Sequence, residues 1–246
     1  MGNLVDIRNN WDDFGKEDPL WAISSRKDKK GCKWNKEEFF QQGNDEIDMI
    51  MNRIESLNIE MDYGRALDFG CGVGRLTQAL ARYFNKVDGV DIAQSMIDLA
   101  IIYNKYGESV RYLLNIVDNL DILESTTYDF IYTADVLQHL NPNYSQTYLK
   151  EFIRLLSPKG LLVFQIPSEN RSMINNCLYA KLGINNYFCS IYSKIKNEPF
   201  MEYHYMKKGK IEKFLQKNNG KIVDIMNDPR SNVISYRYFV TKLQTI

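Results

Sequence analysis

At 246 residues, with 44% hydrophobic and 13% aromatic content, the chain is long enough to bury the core of one α/β domain with decorations. Its 31 basic and 31 acidic residues cancel, so the surface offers no overall field to recruit DNA, RNA or an anionic membrane, and a small molecule is the expected partner. Four cysteines, at 32, 71, 177 and 189, form no C-x-x-C pair, and the two histidines lie in no ligand-pair spacing, so no metal site is expected.

Free thiols suit a reducing cytoplasm. The start, Met-Gly-Asn-Leu-Val-Asp, has no apolar signal region, and Asp6 stands where myristoylation needs Ser or Thr. No apolar run approaches membrane-spanning length, so a cytoplasmic protein is expected; its oligomeric state is left open.

Residues 1–44 read as an aromatic extension carrying Trp11, Phe14, Trp21, Trp34, Phe39 and Phe40, either a lid over a cofactor pocket or a satellite core. Residues 45–246 read as the main domain. From Asp45, apolar residues at Ile47, Ile50, Met51, Ile54 and Leu57 predict a helix that ends before Asp62-Tyr63-Gly64. Arg65–Phe69 is a buried strand, and glycines at 70, 72 and 74 turn the chain into a helix through Leu76, Ala79, Leu80, Tyr83 and Phe84. Val87–Val90 is the second strand, with Asp91 at its carboxyl end; Ser95 is the expected N-cap of a helix carrying Met96, Ile97 and Ala100.

Strands follow at Val110–Leu114 and Tyr128–Tyr132. A helix with Tyr144, Tyr148, Phe152 and Leu156 on one face then runs to Ser157-Pro158-Lys159-Gly160, and a strand occupies Leu161–Ile166. Strands alternating with helices imply a parallel sheet with right-handed crossovers. The segment of about 168–207 is too long for a plain connection and is expected to be a helical lid over an acceptor. After a helix at Lys210–Lys217, Lys221–Ile225 and Val233–Thr241 are joined only by a turn-rich loop, Asn227–Asn232, and must pair as an antiparallel hairpin.

The stretch Leu67-Asp68-Phe69-Gly70-Cys71-Gly72-Val73-Gly74-Arg75 places its third glycine one residue too early for the dinucleotide fingerprint G-x-G-x-x-G. It resembles motif I of class I S-adenosylmethionine-dependent methyltransferases, E/D-x-G-x-G-x-G, with Asp68 as the acid. Gly89-Val90-Asp91-Ile92-Ala93-Gln94-Ser95-Met96, Tyr128-Asp129-Phe130-Ile131-Tyr132, Val136-Leu137-Gln138-His139-Leu140 and Arg154–Gly160 extend the resemblance, from about residue 37 onward. It looks most like the bacterial small-molecule subgroup with an aromatic N-terminal extension. The resemblance implies a Rossmann-like, three-layer αβα fold: a mostly parallel seven-stranded sheet with an antiparallel C-terminal hairpin.

It also implies S-adenosylmethionine as cofactor. Asp68 and the amides around Gly70, Cys71 and Gly72 would face the methionine moiety, with Gly74 and Arg75 opening the helix. Asp91 would hold the ribose diol, Ile92 and Met96 would flank the adenine, and Asn115, followed by Ile116, would read its amino group through the amide oxygen. Backbone carbonyls of Thr133 and Ala134 would take the ammonium.

Methyl transfer is an in-line displacement, in which positioning alone can supply on the order of 7 to 11 kcal/mol. A hydroxyl acceptor gains roughly 10² to 10⁴ from a general base, and His139 and His204 are the candidates. His139, Tyr203, His204 and Tyr205 are the expected acceptor contacts; Asp135 is a further candidate, with helix capping as its competing role. The leading expectation is O- or N-methylation of a small polar metabolite, plausibly a sugar or nucleotide-linked sugar in surface-glycan or secondary-product synthesis. A non-catalytic S-adenosylmethionine-binding or scaffolding protein and a nicotinamide oxidoreductase are the competing classes.

Overall fold

The structure is a computed structural model that describes residues 3–170, 199, 201–230 and 233–243. Its seven-stranded sheet is built from β1 (Arg65–Phe69), β2 (Lys86–Asp91), β3 (Val110–Leu114), β4 (Tyr128–Thr133), β5 (Leu156–Asn170), β6 (Gly220–Arg230) and β7 (Val233–Lys242). The order is β3-β2-β1-β4-β5-β7-β6. Strands β1 to β5 run parallel, whereas β7 is antiparallel to both β5 and β6. The chain winds outward from β1 to β3 and then crosses to β4, so a crevice opens beyond the carboxyl ends of β1 and β4, the position where open α/β sheets bind ligands.

Helices cover both faces. On one, Ile131, Leu162, Phe164, Tyr238 and Val240 pack with α6 (Pro142–Leu155) and α7 (Lys208–Lys217). On the other, Phe130, Tyr132, Val163 and Phe239 pack with α3 (Lys36–Ser56) and α4 (Arg75–Leu80). A third cluster joins Phe14, Trp34, Phe39 and Met96, where α1 (Leu4–Glu17) and α2 (Pro19–Ile23) meet α5 (Gln94–Tyr103). The buried Asp88 carboxylate binds Arg65, Arg111 and Tyr128 at 2.6–2.9 Å and so ties β1 to β4 together. Burial pushes its pKa up, but Arg111, Tyr128 and Arg65 together hold it below the ordinary carboxylate range.

Several elements differ from the pattern-based expectations. Helix α3 begins at Lys36 because the Asn35 side chain accepts the Glu38 N–H, so a division at residue 44/45 falls inside one helix. Ser95 is not the cap of α5; Ala93 is. The Ser95 amide and hydroxyl instead donate to Asp12, each at 2.8 Å, which fastens α1 to the start of α5. The C-terminal hairpin is longer than expected: Asn227 and Asp228 pair with Tyr236 and Ser235, leaving only 231–232 between the strands. Pro229 is tolerated there because β6 is an edge strand. Most of the expected lid, at 171–198 and 200, lies outside the described residues, as do Cys177 and Cys189.

Candidate active site

The turn after β1 is built by backbone conformations that L side chains avoid. Gly70 and Gly72 have φ of 76° and 51°. A Cβ at Gly70 would meet Val136 at 2.2 Å, and one at Gly72 would meet Ile23 at 2.6 Å. Gly74 caps α4 in the left-handed region, and Arg75 opens that helix. The three amides expected to face a ligand are spent within the protein. Gly70 and Cys71 donate to the Val90 carbonyl at 2.8 and 3.1 Å, and Gly72 donates to Asp91 Oδ2 at 2.8 Å. The loop therefore offers a ligand close approach to its backbone rather than open N–H groups.

Asp91 accepts one backbone donor on each oxygen, Gly72 on Oδ2 and Ala93 at 2.9 Å on Oδ1. That fixes the carboxylate at the carboxyl end of β2 while each oxygen keeps a further lone pair, the arrangement that suits two vicinal hydroxyls. Burial raises its pKa, opposed by the backbone donors.

A cavity of about 690 Å³ opens here, within the range of small-molecule sites. Of the expected cofactor residues, Gly70, Cys71, Gly72, Arg75, Asp91 and Ile92 line it, and so do Met96, Asn115 and Ala134. Both amide protons of Asn115 go to the Val117 and Asn119 carbonyls at 2.9 Å, so Asn115 can offer a ligand only its side-chain oxygen. Asp68, Gly74, Ile116 and Thr133 do not line the cavity. Asp68 is buried and accepts the Thr77 hydroxyl at 2.6 Å; burial raises its pKa to about 7, against the pull of Thr77 and Arg75. Burial also pushes the Cys71 thiol well up, which suits a small turn residue and not a nucleophile.

The far end of the cavity is lined by Ile7, Trp11, Asp135, Gln138, His139 and Tyr203. Asp135 is held at φ 62°, a strained conformation for a residue with a Cβ, by the Gln165 side chain, which accepts its N–H at 3.0 Å. Gln165 in turn donates to Ser235 at 2.6 Å. Gln138 donates its Nε2 to Asp135 Oδ1 and its Oε1 accepts from Tyr203, both at 3.2 Å, so its amide orientation is settled by its neighbours. The same Nε2 lies 3.2 Å from His139 Nε2, while His139 Nδ1 lies 2.7 Å from the Glu202 carbonyl. A carbonyl on one side and a donor on the other assign His139 the Nδ1–H tautomer, with the Nε2 lone pair accepting from Gln138.

Trp11 packs edge-on to that ring at 5.3 Å and Tyr203 at 5.7 Å. His204 and Tyr205 are off the cavity wall. The His204 ring binds Glu202 Oε2 at 2.8 Å, and its amide donates to the Gln138 carbonyl at 2.7 Å, so it braces the segment that holds His139.

Sequence reasoning missed Gln42 and Glu46 on α3, which line the cavity beside Arg75, and Arg237 on β7. Glu46 accepts from Arg75 at 3.2 Å and from Arg237 and Tyr132 at 2.8 Å. Arg237 also bonds the Tyr132 hydroxyl. Burial alone would raise the Glu46 carboxyl, but Arg75, Arg237 and Tyr132 outweigh it and hold the pKa at about 2. The missed signal was an acid at 46 on the stripe of Gly43, Ile47 and Ile50, and an arginine at 237 on the strand face of Ser235 and Phe239.

This strand order, the glycine turn and the aspartate facing it are those of the Rossmann-like methyltransferase fold, and residues 66–160 match the family model described as a methyltransferase domain. Among solved structures, magnesium protoporphyrin IX methyltransferase from Synechocystis PCC 6803, with bound S-adenosylhomocysteine, superposes with a TM-score of 0.64 at 19% identity, covering 98% of this chain and 100% of that one. A S-adenosylmethionine-dependent methyltransferase from Clostridium acetobutylicum gives 0.59 at 18% identity, over 83% of this chain and 92% of its own.

In sequence, the ubiquinone biosynthesis O-methyltransferase of Maricaulis maris is 31% identical over 101 residues, 40% of this chain and 39% of that protein. The mitochondrial enzyme of that name from Dictyostelium discoideum is 27% identical over 187 residues, 70% of this chain and 52% of its own. The chain thus spans about two-fifths of the curated relative first matched, and half of the longer alignment's partner. Among the described residues, no helix is long and apolar enough to cross a membrane.

Proposed function

We propose that this cavity binds S-adenosylmethionine and that the chain transfers its methyl group to a hydroxyl of a small, uncharged acceptor. The observation that carries the reading is the Gly72–Asp91 contact, which sets a carboxylate suited to a diol in the same cavity as the His139 ring. The cofactor supplies an electrophilic methyl on a sulfonium. Asp91 would take the ribose hydroxyls, Ile92 and Met96 would flank the adenine, and Asn115 Oδ1 would accept from its amino group. Of the two carbonyls expected to receive the ammonium, that of Ala134 is on the cavity wall and would do so. His139 Nε2, whose lone pair accepts from Gln138 in this structure, would take the proton of the acceptor hydroxyl once that hydroxyl replaces the Gln138 amide as its donor, and Asp135 would then hold the Gln138 amide.

Trp11, Tyr203 and Ile7 give the acceptor end an aromatic and apolar wall, which favours a hydroxyl on a flat or apolar ring. Among the described residues, only Arg26 and Arg75 bring positive charge to the cavity. Arg26 is paired with Asp28 and Glu38, and Arg75 with Glu46, which leaves little to neutralise a phosphate and disfavours a nucleotide-linked sugar. The relatives named as O-methyltransferases agree with an oxygen acceptor. A free sugar is the second reading, favoured by Asp135 and Gln138 in the wall. Residues 1–44 act as the cover of the site, since Leu4, Ile7, Trp11 and the stretch from Ala22 to Arg26 form part of its wall.

A screen of phenolic, aliphatic and sugar hydroxyl compounds for S-adenosylhomocysteine release tests this. Turnover confined to phenolic or apolar-ring acceptors, and lost in His139→Ala, is expected. Tight S-adenosylhomocysteine binding with no turnover on any class would favour the non-catalytic binder, and NAD binding in its place would overturn the reading.

A further inference from the structure

Two buried polar side chains lie just behind the acceptor end of the cavity and take no part in the transfer described above. Gln165 on β5 is 1% exposed and Ser235 on β7 is 2% exposed, and neither lines the cavity. Gln165 is the one polar residue in the run Leu161–Ile166. It pairs with Arg237 across the antiparallel strands, which makes Ser235 its diagonal neighbour on the same face. A side-chain amide buried in an apolar strand is costly unless its N–H groups and oxygen are used.

Here they are used in a closed ring. Gln165 Oε1 accepts the Asp135 N–H at 3.0 Å, and a backbone N–H can only donate, so this contact fixes the orientation of the Gln165 amide. Its Nε2 is thereby turned to Ser235 Oγ at 2.6 Å and to Gln138 Oε1 at 3.4 Å. Gln138 Nε2 closes the ring on Asp135 Oδ1 at 3.2 Å, and the same nitrogen meets His139 Nε2 at 3.2 Å. The stretch enclosed in this way needs holding. Asp135 has a φ of 62°, and the short helical turn Leu137–His139 that follows has its His139 N–H on the Val136 carbonyl at 2.9 Å. A left-handed residue with a Cβ, followed by a single turn, is over-determined by its surroundings and not by its own backbone.

We propose that Gln165 and Ser235 are positioning residues for His139, acting through the backbone of Asp135 and the amide of Gln138 to fix where the imidazole stands and which edge of Gln138 faces it. The inference rests on the reading of His139 as the base and adds to it the part of the sheet that aims it. With Gln165 in place, Gln138 turns an N–H and not an oxygen to the Nε2 lone pair, and that N–H is the donor an acceptor hydroxyl has to replace. The C-terminal hairpin thus reaches the chemistry through one serine hydroxyl.

The chain has two histidines, so nuclear magnetic resonance of the full chain, isotopically labelled in its histidine ring nitrogens and assigned with His139→Ala, tests this directly. At about pH 8 the unaltered protein should show the Nδ1–H pattern for His139. Gln165→Met, similar in length but without hydrogen bonds, should move that pattern towards a mixture of tautomers and leave the His204 signals in place. Gln165→Glu, whose carboxyl still offers an oxygen to the Asp135 N–H, should restore it, and Ser235→Ala should give a smaller displacement of the same sign. S-adenosylhomocysteine affinity by calorimetry should stay within about 2-fold in all three variants. Turnover on the best phenolic compound of the screen should fall about 10-fold to 100-fold in Gln165→Met, the effect of a small misplacement of a reacting group, and recover to within about 3-fold of the parent in Gln165→Glu. Parental His139 signals in Gln165→Met, or a loss of S-adenosylhomocysteine affinity in step with turnover, overturns the proposal. Turnover of the parent that survives His139→Ala overturns the base reading instead, and the nitrogen signals then still decide whether Gln165 and Ser235 hold the ring.

Discussion

Replacing Glu46 with glutamine keeps the volume and the acceptor for Tyr132 but removes the charge that two buried arginines share. The magnitude follows from the carboxyl itself, which Arg75, Arg237 and Tyr132 hold at about 2 against an ordinary 4.5. At about 1.4 kcal/mol per pH unit, that difference corresponds to about 3 kcal/mol of folding stability at neutral pH. Breaking a buried ion pair by removing one partner costs roughly 3 to 5 kcal/mol, because the remaining charges stay buried; here Arg237 would keep Asp228, at 3.6 Å, as a neighbouring acid. Because the folded value lies below the unfolded one, the contribution is complete above about pH 4.5 and is lost as pH falls towards 2.

Urea unfolding followed by circular dichroism at pH 7 should therefore show Glu46→Gln destabilised by about 3 kcal/mol or more, with an unchanged m-value. The gap between variant and parent should shrink as pH drops below 4.5. Pairing Glu46→Gln with Arg237→Met should show non-additivity of about 1 to 3 kcal/mol. A Glu46→Gln protein within 1 kcal/mol of the parent at pH 7 would refute the network as a source of stability.

Asp91→Ala should weaken S-adenosylhomocysteine binding by about 10-fold or more, since it removes charge-assisted hydrogen bonds worth roughly 1.5 to 3 kcal/mol; an unchanged dissociation constant by calorimetry would refute the ribose assignment. Burial raises Asp68 to about 7, so between about pH 4 and 7 the folded state keeps a proton that the unfolded chain has released, and stability falls as pH rises through that window by up to about 4 kcal/mol. Asp68→Asn should flatten that dependence in unfolding measurements, and a slope identical to the parent's would show the carboxyl is not its source. His139→Ala should lower kcat by roughly 10² to 10⁴ with cofactor affinity intact, as expected on loss of a general base. His204→Ala, whose ring faces Glu202 and not the cavity, should lower kcat by far less; the reverse ranking of the two histidines would move the base to His204.

What the sequence could show divides along the range of the interactions involved. The glycine turn, Asp91 and the alternation of strands and helices are local patterns, and each needs only its neighbours along the chain to be recognised. The C-terminal hairpin was legible too, because two strands with no room for a crossover have one way to pair; its extent was not, since the pairing of Asn227 with Tyr236 is decided by edge position and not by composition. The Ser95 assignment failed for a related reason: a serine beside a helix start is the usual cap, but Asp12, 83 residues away, claims both of its donors.

The charged corner is the extreme case. Glu46, Arg75, Tyr132 and Arg237 come from α3, α4, β4 and β7, and the contact between Glu46 and Arg237 spans 191 positions. Each looks like a surface residue in its own segment, except that Glu46 and Arg237 sit on faces whose neighbours are apolar. A charge on a buried face has to find a counter-charge there. Reading those two exceptions as a pair would have pointed to the corner before any geometry was known.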